Sequence, residues 1–215
     1  MKRSAEKYIY DMCVRYPNLA VVEDNVKKCI EKMIDVYKSG NKVIICGNGG
    51  SAADSLHIVG ELMKCFVLPR KLSNSIAERL KKYSVNSKYL EDNLQMTLPT
   101  ISLVNEVSLM TAYANDVAAD LNFAQQVLGQ GKKGDVLLAI STSGNSKNIV
   151  YASEVAKALD MNVISLTGKT GGELKRVTDI LINVPETETY KIQELHLPIY
   201  HTICLAIESE FYAMN

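Results

Sequence analysis

The sequence predicts an α/β fold: a three-layer sandwich with a five-stranded parallel sheet between helices, preceded by an N-terminal helical hairpin. Three observations carry this. From residue 42 onward, short compact apolar runs alternate with helix-length stretches, the rhythm of strand–helix–strand crossovers. The runs lack polar alternation, as expected of strands covered on both faces. Two helical patterns precede the first run with no strand between them.

Taken in order, residues 4–16 and 18–39 read as two helices parted at Pro17. In the second, Val22, Val26, Cys29, Ile30, Met33 and Tyr37 recur at three- and four-residue steps, an apolar stripe with charge opposite. Gly40 follows as a C-terminal stop. The strand candidates are 42–46, 99–104, 135–140, 162–166 and 179–184. Helical patterns fall at 51–64, 106–115, 120–129, 146–160 and 190–212. Residues 65–98 break this rhythm with a Lys-, Ser- and Asn-rich excursion, in which 73–83 and 86–96 are short helix candidates. Such an excursion is a lid, an interface element or a disordered insert. Pro198 lies inside the last helix, where it removes a backbone bond and predicts a kink.

The bulk numbers narrow the function. A chain of 215 residues is one domain or two small ones, and a single domain over 1–215 is expected. Its 24 basic and 24 acidic side chains balance, which argues against nucleic acid or an anionic membrane as partner. Five scattered cysteines with no CxxC pair read as reduced thiols. No apolar run has the length of a membrane span and the charged N-terminus lacks a signal-peptide core. A soluble cytoplasmic protein is expected.

Three tracts carry chemistry. In VIICGNGGSAADSLHIVGE (43–61), Asn48, Gly49, Gly50 and Ser51 sit where a strand hands over to a helix. Unpaired helix N–H groups there suit an anion, although a purely structural turn fits the tract equally well. In STSGNS (141–146), four hydroxyls in six residues follow a strand, where ligands of open α/β sheets bind. Phosphate is the favoured guest, since helix capping needs only one hydroxyl. The third tract is a set of side chains able to move protons. His57 and Glu61 share one helix face, and the last helix adds Gln193, Glu194, His196 and His201. His196, set among apolar neighbours, is assigned to the core.

GNGGSAAD, STSGNS, LTGKTGGEL and IQELH…H occur here in one order, and in this the chain resembles the sugar-isomerase (SIS) family, most closely the phosphoheptose isomerases. The resemblance spans nearly the whole chain. It implies a homotetramer with active sites at subunit contacts, and interconversion of sedoheptulose 7-phosphate with a manno-heptose 7-phosphate. It implies site residues as well. Asn48, Gly49, Gly50 and Ser51, with Asn115 and Asp116, match substrate contacts. Ser141, Thr142, Ser143 and Ser146 match the phosphate loop, and Glu61 and His201 the acid/base pair. Glu61 and Gln193 also match substrate contacts, and His57, Glu61, Gln193 and His201 the ligands of one Zn²⁺ per subunit.

An aldose–ketose interconversion moves a proton between adjacent carbons through an enediol, for which a carboxylate and an imidazole are the minimal set. The zinc set carries a tension, because Gln193 and His201 lie ~12 Å apart along an ideal helix. Three features depart from the family pattern: the length of 65–98, Lys191 in place of an arginine before IQE, and Pro198. A non-catalytic SIS scaffold or phosphosugar-binding protein, or an isomerase of another phosphosugar, is the rival expectation. A scaffold has no need of Glu61 and His201.

Overall fold

The computed structural model describes residues 1–213. Five strands form one parallel sheet in the order β2-β1-β3-β4-β5, with β1 at Val43–Gly47, β2 at Thr100–Ser102, β3 at Val136–Ile140, β4 at Asn162–Thr167 and β5 at Ile180–Asn183. Each predicted run is a strand, shifted by one or two residues at its ends. The edge strand β2 is the shortest, pairing only Thr100–Ser102 with Val43–Ile45.

The pleat sorts the apolar runs into two cores. Val43, Ile45, Val136, Leu138, Ile140, Ile164 and Leu166 face a layer made by α1 (Arg3–Arg15), α2 (Glu23–Lys38), α3 (Gly50–Met63) and α9 (Thr189–Tyr212). Ile44, Cys46, Leu137, Ala139 and Val163 face the opposite layer, where α7 (Asn122–Gln130) and α8 (Lys147–Ala158) pack. Strands buried on both faces therefore read as unbroken apolar runs.

The N-terminal helices depart from a simple hairpin: α1 lies chiefly along α9, while α2 packs on α9 and β5. The second begins with a 3₁₀ segment, Pro17–Val22, because proline at the first helical position lacks an N–H that the turn does not need. It ends in a Schellman motif. Gly40 takes φ +76°, its N–H donates to Tyr37 O and that of Asn41 to Val36 O.

The excursion after α3 is ordered. It carries α4 (Asn74–Tyr83) and α5 (Ser87–Asn93), and its neck is closed by an antiparallel bridge between Lys71 and Gln95. A buried ion pair anchors it. Glu208 of α9 accepts the N–H groups of Phe66, Val67 and Leu68 and the Arg70 Nε–H. Arg70 in turn donates to the carbonyls of Leu62 and Glu61, capping the last turn of α3. Both charged side chains are fully buried.

The last helix runs unbroken from Thr189 to Tyr212 through Pro198. No described helix is long and apolar enough to cross a membrane.

Candidate active site

The strand order reverses direction between β1 and β3, and a parallel sheet opens its ligand crevice at the carboxyl ends of such a pair. Both flagged loops lie there. The β1 loop requires glycine: a Cβ on Gly47 would sit 2.5 Å from the Ser51 carbonyl oxygen, and Gly49 takes φ +55°. The β3 loop is pinned by Gly144, at φ +68°, where a Cβ would lie 2.2 Å from the Gly171 carbonyl oxygen.

Between the loops is a cavity of about 260 Å³ lined by Asn48, Gly49, Gly50, Ser51, Ser141, Thr142, Ser146, Thr189 and Gln193. Eight of these are predicted residues; Thr189 is an addition. Ser146 heads α8 without capping it through its side chain, so the capping alternative is not realised. Its hydroxyl instead accepts from Ser141 Oγ at 3.1 Å. The α8 amide end faces the cavity mouth, a suitable seat for phosphate oxygens. Ser143 is exposed and turned to its own loop, where its Oγ accepts the Asn145 N–H. Reciprocal amide bonds of 2.9 Å join Asn48 to Asn148 across the crevice. Asn148 carried no signal in the sequence beyond its place in the first turn of α8.

The side chains expected to transfer protons come from α3 and α9, which run parallel. Gly50 faces Gln193, whose Nε2 would lie 2.6 Å from a Cβ there, and His57 Nδ1 meets the Tyr200 hydroxyl at 3.1 Å. Both pairs are separated by the same 143 residues in sequence. Glu61 Oε1 is 3.3 Å from His57 Nε2, and Glu61 Oε2 is 3.3 Å from Lys64 Nζ. The His201 ring packs edge-on at 5.0 Å from both His57 and Tyr200, and its Nε2 is buried without a partner. Burial, and then the neighbouring His57, hold the His201 imidazole below its ordinary pKa; Glu61 opposes this.

Behind this group, Tyr200 O–H donates to Asp54 Oδ1 at 3.2 Å. Burial raises the Asp54 carboxyl pKa, and burial with Asp54 raises that of Tyr200. Neither residue stands out in the sequence as a site residue. Asp54 reads as the end of the glycine-rich tract, and Tyr200 as one apolar position of a long helix.

The structure thus brings together His57, Glu61 and His201, and separately gathers Asn48–Ser51 with Ser141, Thr142, Ser146 and Gln193. Gln193 stands two helical turns before His201, beside Gly50. Among the described residues no three His, Cys, Asp or Glu side chains converge as a ready-made metal site. Asn115 and Asp116 lie on an exposed π-helical turn, Ala114–Ala118, bonded to each other at 2.8 Å and away from the cavity wall. Lys191 is likewise on the outside, paired with Glu188 at 2.5 Å. His196 is in the core as assigned, with its Nε2 on the Thr167 carbonyl at 3.3 Å.

Comparisons with known proteins agree with this architecture. The SIS domain model matches residues 18–96 and 92–168. The chain is 34% identical over 212 residues to the phosphoheptose isomerase of Akkermansia muciniphila, with 99% of each chain covered. It is 37% identical over 198 residues to that of Helicobacter pylori, covering 92% of this chain and 90% of the relative. The solved phosphoheptose isomerase of Neisseria gonorrhoeae superposes with a TM-score of 0.73 at 32% identity, covering 91% of each chain. The chain belongs to the SIS-domain family and, within it, to the phosphoheptose isomerases.

Proposed function

We propose that this chain is an isomerase that converts sedoheptulose 7-phosphate to D-glycero-D-manno-heptose 7-phosphate, feeding heptose biosynthesis. The observation that carries the reading is the layout of α3 and α9. A hydroxyl-lined crevice lies at their amino ends and an imidazole–carboxylate group two turns further on. Ser141, Thr142 and Ser146, with the first amides of α8, bind the phosphate. Asn48, Gly49, Gly50, Ser51 and Gln193 line the path of the sugar chain, and Asn115 and Asp116 are assigned to it from the family.

Glu61 moves the proton between the two carbons and His201 the proton between the two oxygens. The two roles suit their settings: the Glu61 side chain is only 13% exposed, and a depressed pKa keeps His201 neutral and able to exchange a proton.

Zn²⁺, one per subunit, is proposed at His57 and Glu61, with His201 and Gln193 as the remaining donors. The fit rests on donor chemistry and one distance. Two donors of a tetrahedral zinc with bonds of ~2.0–2.1 Å lie ~3.3–3.4 Å apart, and His57 Nε2 and Glu61 Oε1 are 3.3 Å apart. Bound there, the ion would polarise the sugar carbonyl. A homotetramer in the cytoplasm completes the proposal.

The test is ketose-to-aldose turnover followed by NMR of the aldose product. Glu61→Gln is expected to lower kcat by about 10²–10⁴. A wild-type protein without turnover, or a Glu61→Gln variant that matches it, would sink the reading. Metal analysis and light scattering test the zinc and the tetramer separately.

A further inference from the structure

We propose that Tyr200, backed by Asp54, is a positioning residue that holds His57 as its Nδ1–H tautomer and turns the Nε2 lone pair onto Glu61. The inference deepens the isomerase reading and rests on it for its catalytic consequence.

The argument is an account of protons. A tyrosine hydroxyl has one proton to give, and that of Tyr200 goes to Asp54 Oδ1. The same oxygen, 3.1 Å from His57 Nδ1, has only lone pairs left on that side. It must therefore accept, and Nδ1 must carry the hydrogen. In a neutral imidazole the other nitrogen is then bare. Nε2 faces Glu61 Oε1 at 3.3 Å, so two acceptors confront each other. Such a pair leaves a place between the two acceptors that suits a shared cation, either a proton or a divalent metal.

Without the tyrosine, the opposite tautomer relieves the confrontation at once. An Nε2–H would donate straight to Glu61, and the position between the two would be filled by an ordinary hydrogen bond. The Asp54–Tyr200 pair is what keeps that position available. This is how a ring nitrogen that does no chemistry fixes the state of the one that does.

The parts are also held mechanically. Asp54 and His57 are three residues apart on one face of α3. The Tyr200 residue is 2% exposed and its ring lies edge-on to both histidines, at 5.5 Å from His57 and 5.0 Å from His201. The His57 side chain is 43% exposed, so packing alone does not fix which nitrogen is protonated. The hydroxyl does.

The experiment uses the full-length protein, stripped of metal and labelled with ¹⁵N, in two-bond ¹H–¹⁵N correlation spectra. Only three histidines contribute, each assigned by its own His→Gln variant. Wild-type His57 is expected as Nδ1–H with a bare Nε2. Tyr200→Phe, which keeps the ring and removes the hydroxyl, is expected to move it to Nε2–H. The variant should also bind zinc about 10–100-fold more weakly and lower kcat with KM little changed. An Nε2–H tautomer in the wild type, or an identical tautomer in Tyr200→Phe, overturns the proposal. The spectra need no substrate, so they decide the tautomer even if the isomerase assay fails. A failed tautomer test leaves that assay standing.

Discussion

Glu208→Ala should release the excursion at 65–98 and loosen the end of α3. The Glu208 carboxylate is fully buried and holds Arg70 together with three consecutive backbone N–H groups. Removing one partner of a buried pair costs about 3–5 kcal/mol, because the surviving charge is left without compensation. Arg70 keeps its bonds to the carbonyls of Glu61 and Leu62, which pulls the figure toward the lower end. The stranded amides push it back up, at roughly 1 kcal/mol each where water cannot reach them. A total of about 4 kcal/mol corresponds to a fall in Tm of roughly 8–16 °C for a domain of this size. Thermal unfolding by circular dichroism measures that fall, and limited proteolysis shows whether cleavage concentrates in 65–98. A double variant, Arg70→Met with Glu208→Met, should regain the part due to the stranded guanidinium. A single variant within 3 °C of wild type (an effect under about 1 kcal/mol) and cleaved no faster would refute the anchoring argument.

Gly144→Ala should collapse the proposed phosphate loop at 141–146, since its Cβ would meet the Gly171 backbone oxygen at 2.2 Å from a φ of +68°. We expect a rise of about tenfold or more in KM for the phosphosugar, equivalent to about 1.4 kcal/mol, and a KM within twofold of wild type would contradict this. Gly50→Ala meets only the flexible end of Gln193, so its thermal stability should change little while KM rises as Gln193 is pushed aside. A loss of stability as large as that of Gly144→Ala would show the contact to be rigid. His196 is buried neutral, with its pKa pushed down to about 4 from an ordinary 6.5. As pH falls through that window the unfolded chain takes the proton first, so stability that is complete above about pH 6.5 is lost toward pH 4, by about 3 kcal/mol. Urea midpoints against pH should show this slope, and His196→Gln should flatten it; an unchanged slope would rule out His196 as its source.

The strands were legible because β1, β3 and β4 are buried on both faces and so carry unbroken apolar runs. β2 is shorter than its apolar run: Pro99 and Leu103 each keep one backbone bond to β1, but a turn begins at Leu103 and register pairing covers three residues. The helix expected over 106–115 stops at Tyr113 and widens into the π turn at Ala114–Ala118. Nothing in the local propensity of AYANDVAAD distinguishes the two. That the 141–146 loop lines a crevice was readable from composition, as four hydroxyls cluster there directly after a strand. His57 and Glu61 were readable from their spacing. Long-range partnerships were not. Tyr200 reaches Asp54 across 146 residues, and Glu208 reaches Arg70 across 138. Each partner alone looks like routine helix or loop composition.

The constant offset between α3 and α9 makes the two helices a ruler. One mark is Gly50 against Gln193, beside the proposed phosphate grip, and the next is His57 against Tyr200, beside the proposed acid and base. Seven residues separate the marks on each helix, a gap of ~10.5 Å, comparable to the reach of an open seven-carbon chain from its carbonyl end to its terminal phosphate. On the proposed site assignment, chain length would be measured by helical rise. Deleting one residue between Gln193 and Tyr200 would shift one mark by ~1.5 Å and swing it ~100° around the helix, and that would mis-set the gauge while every side chain remained in the sequence.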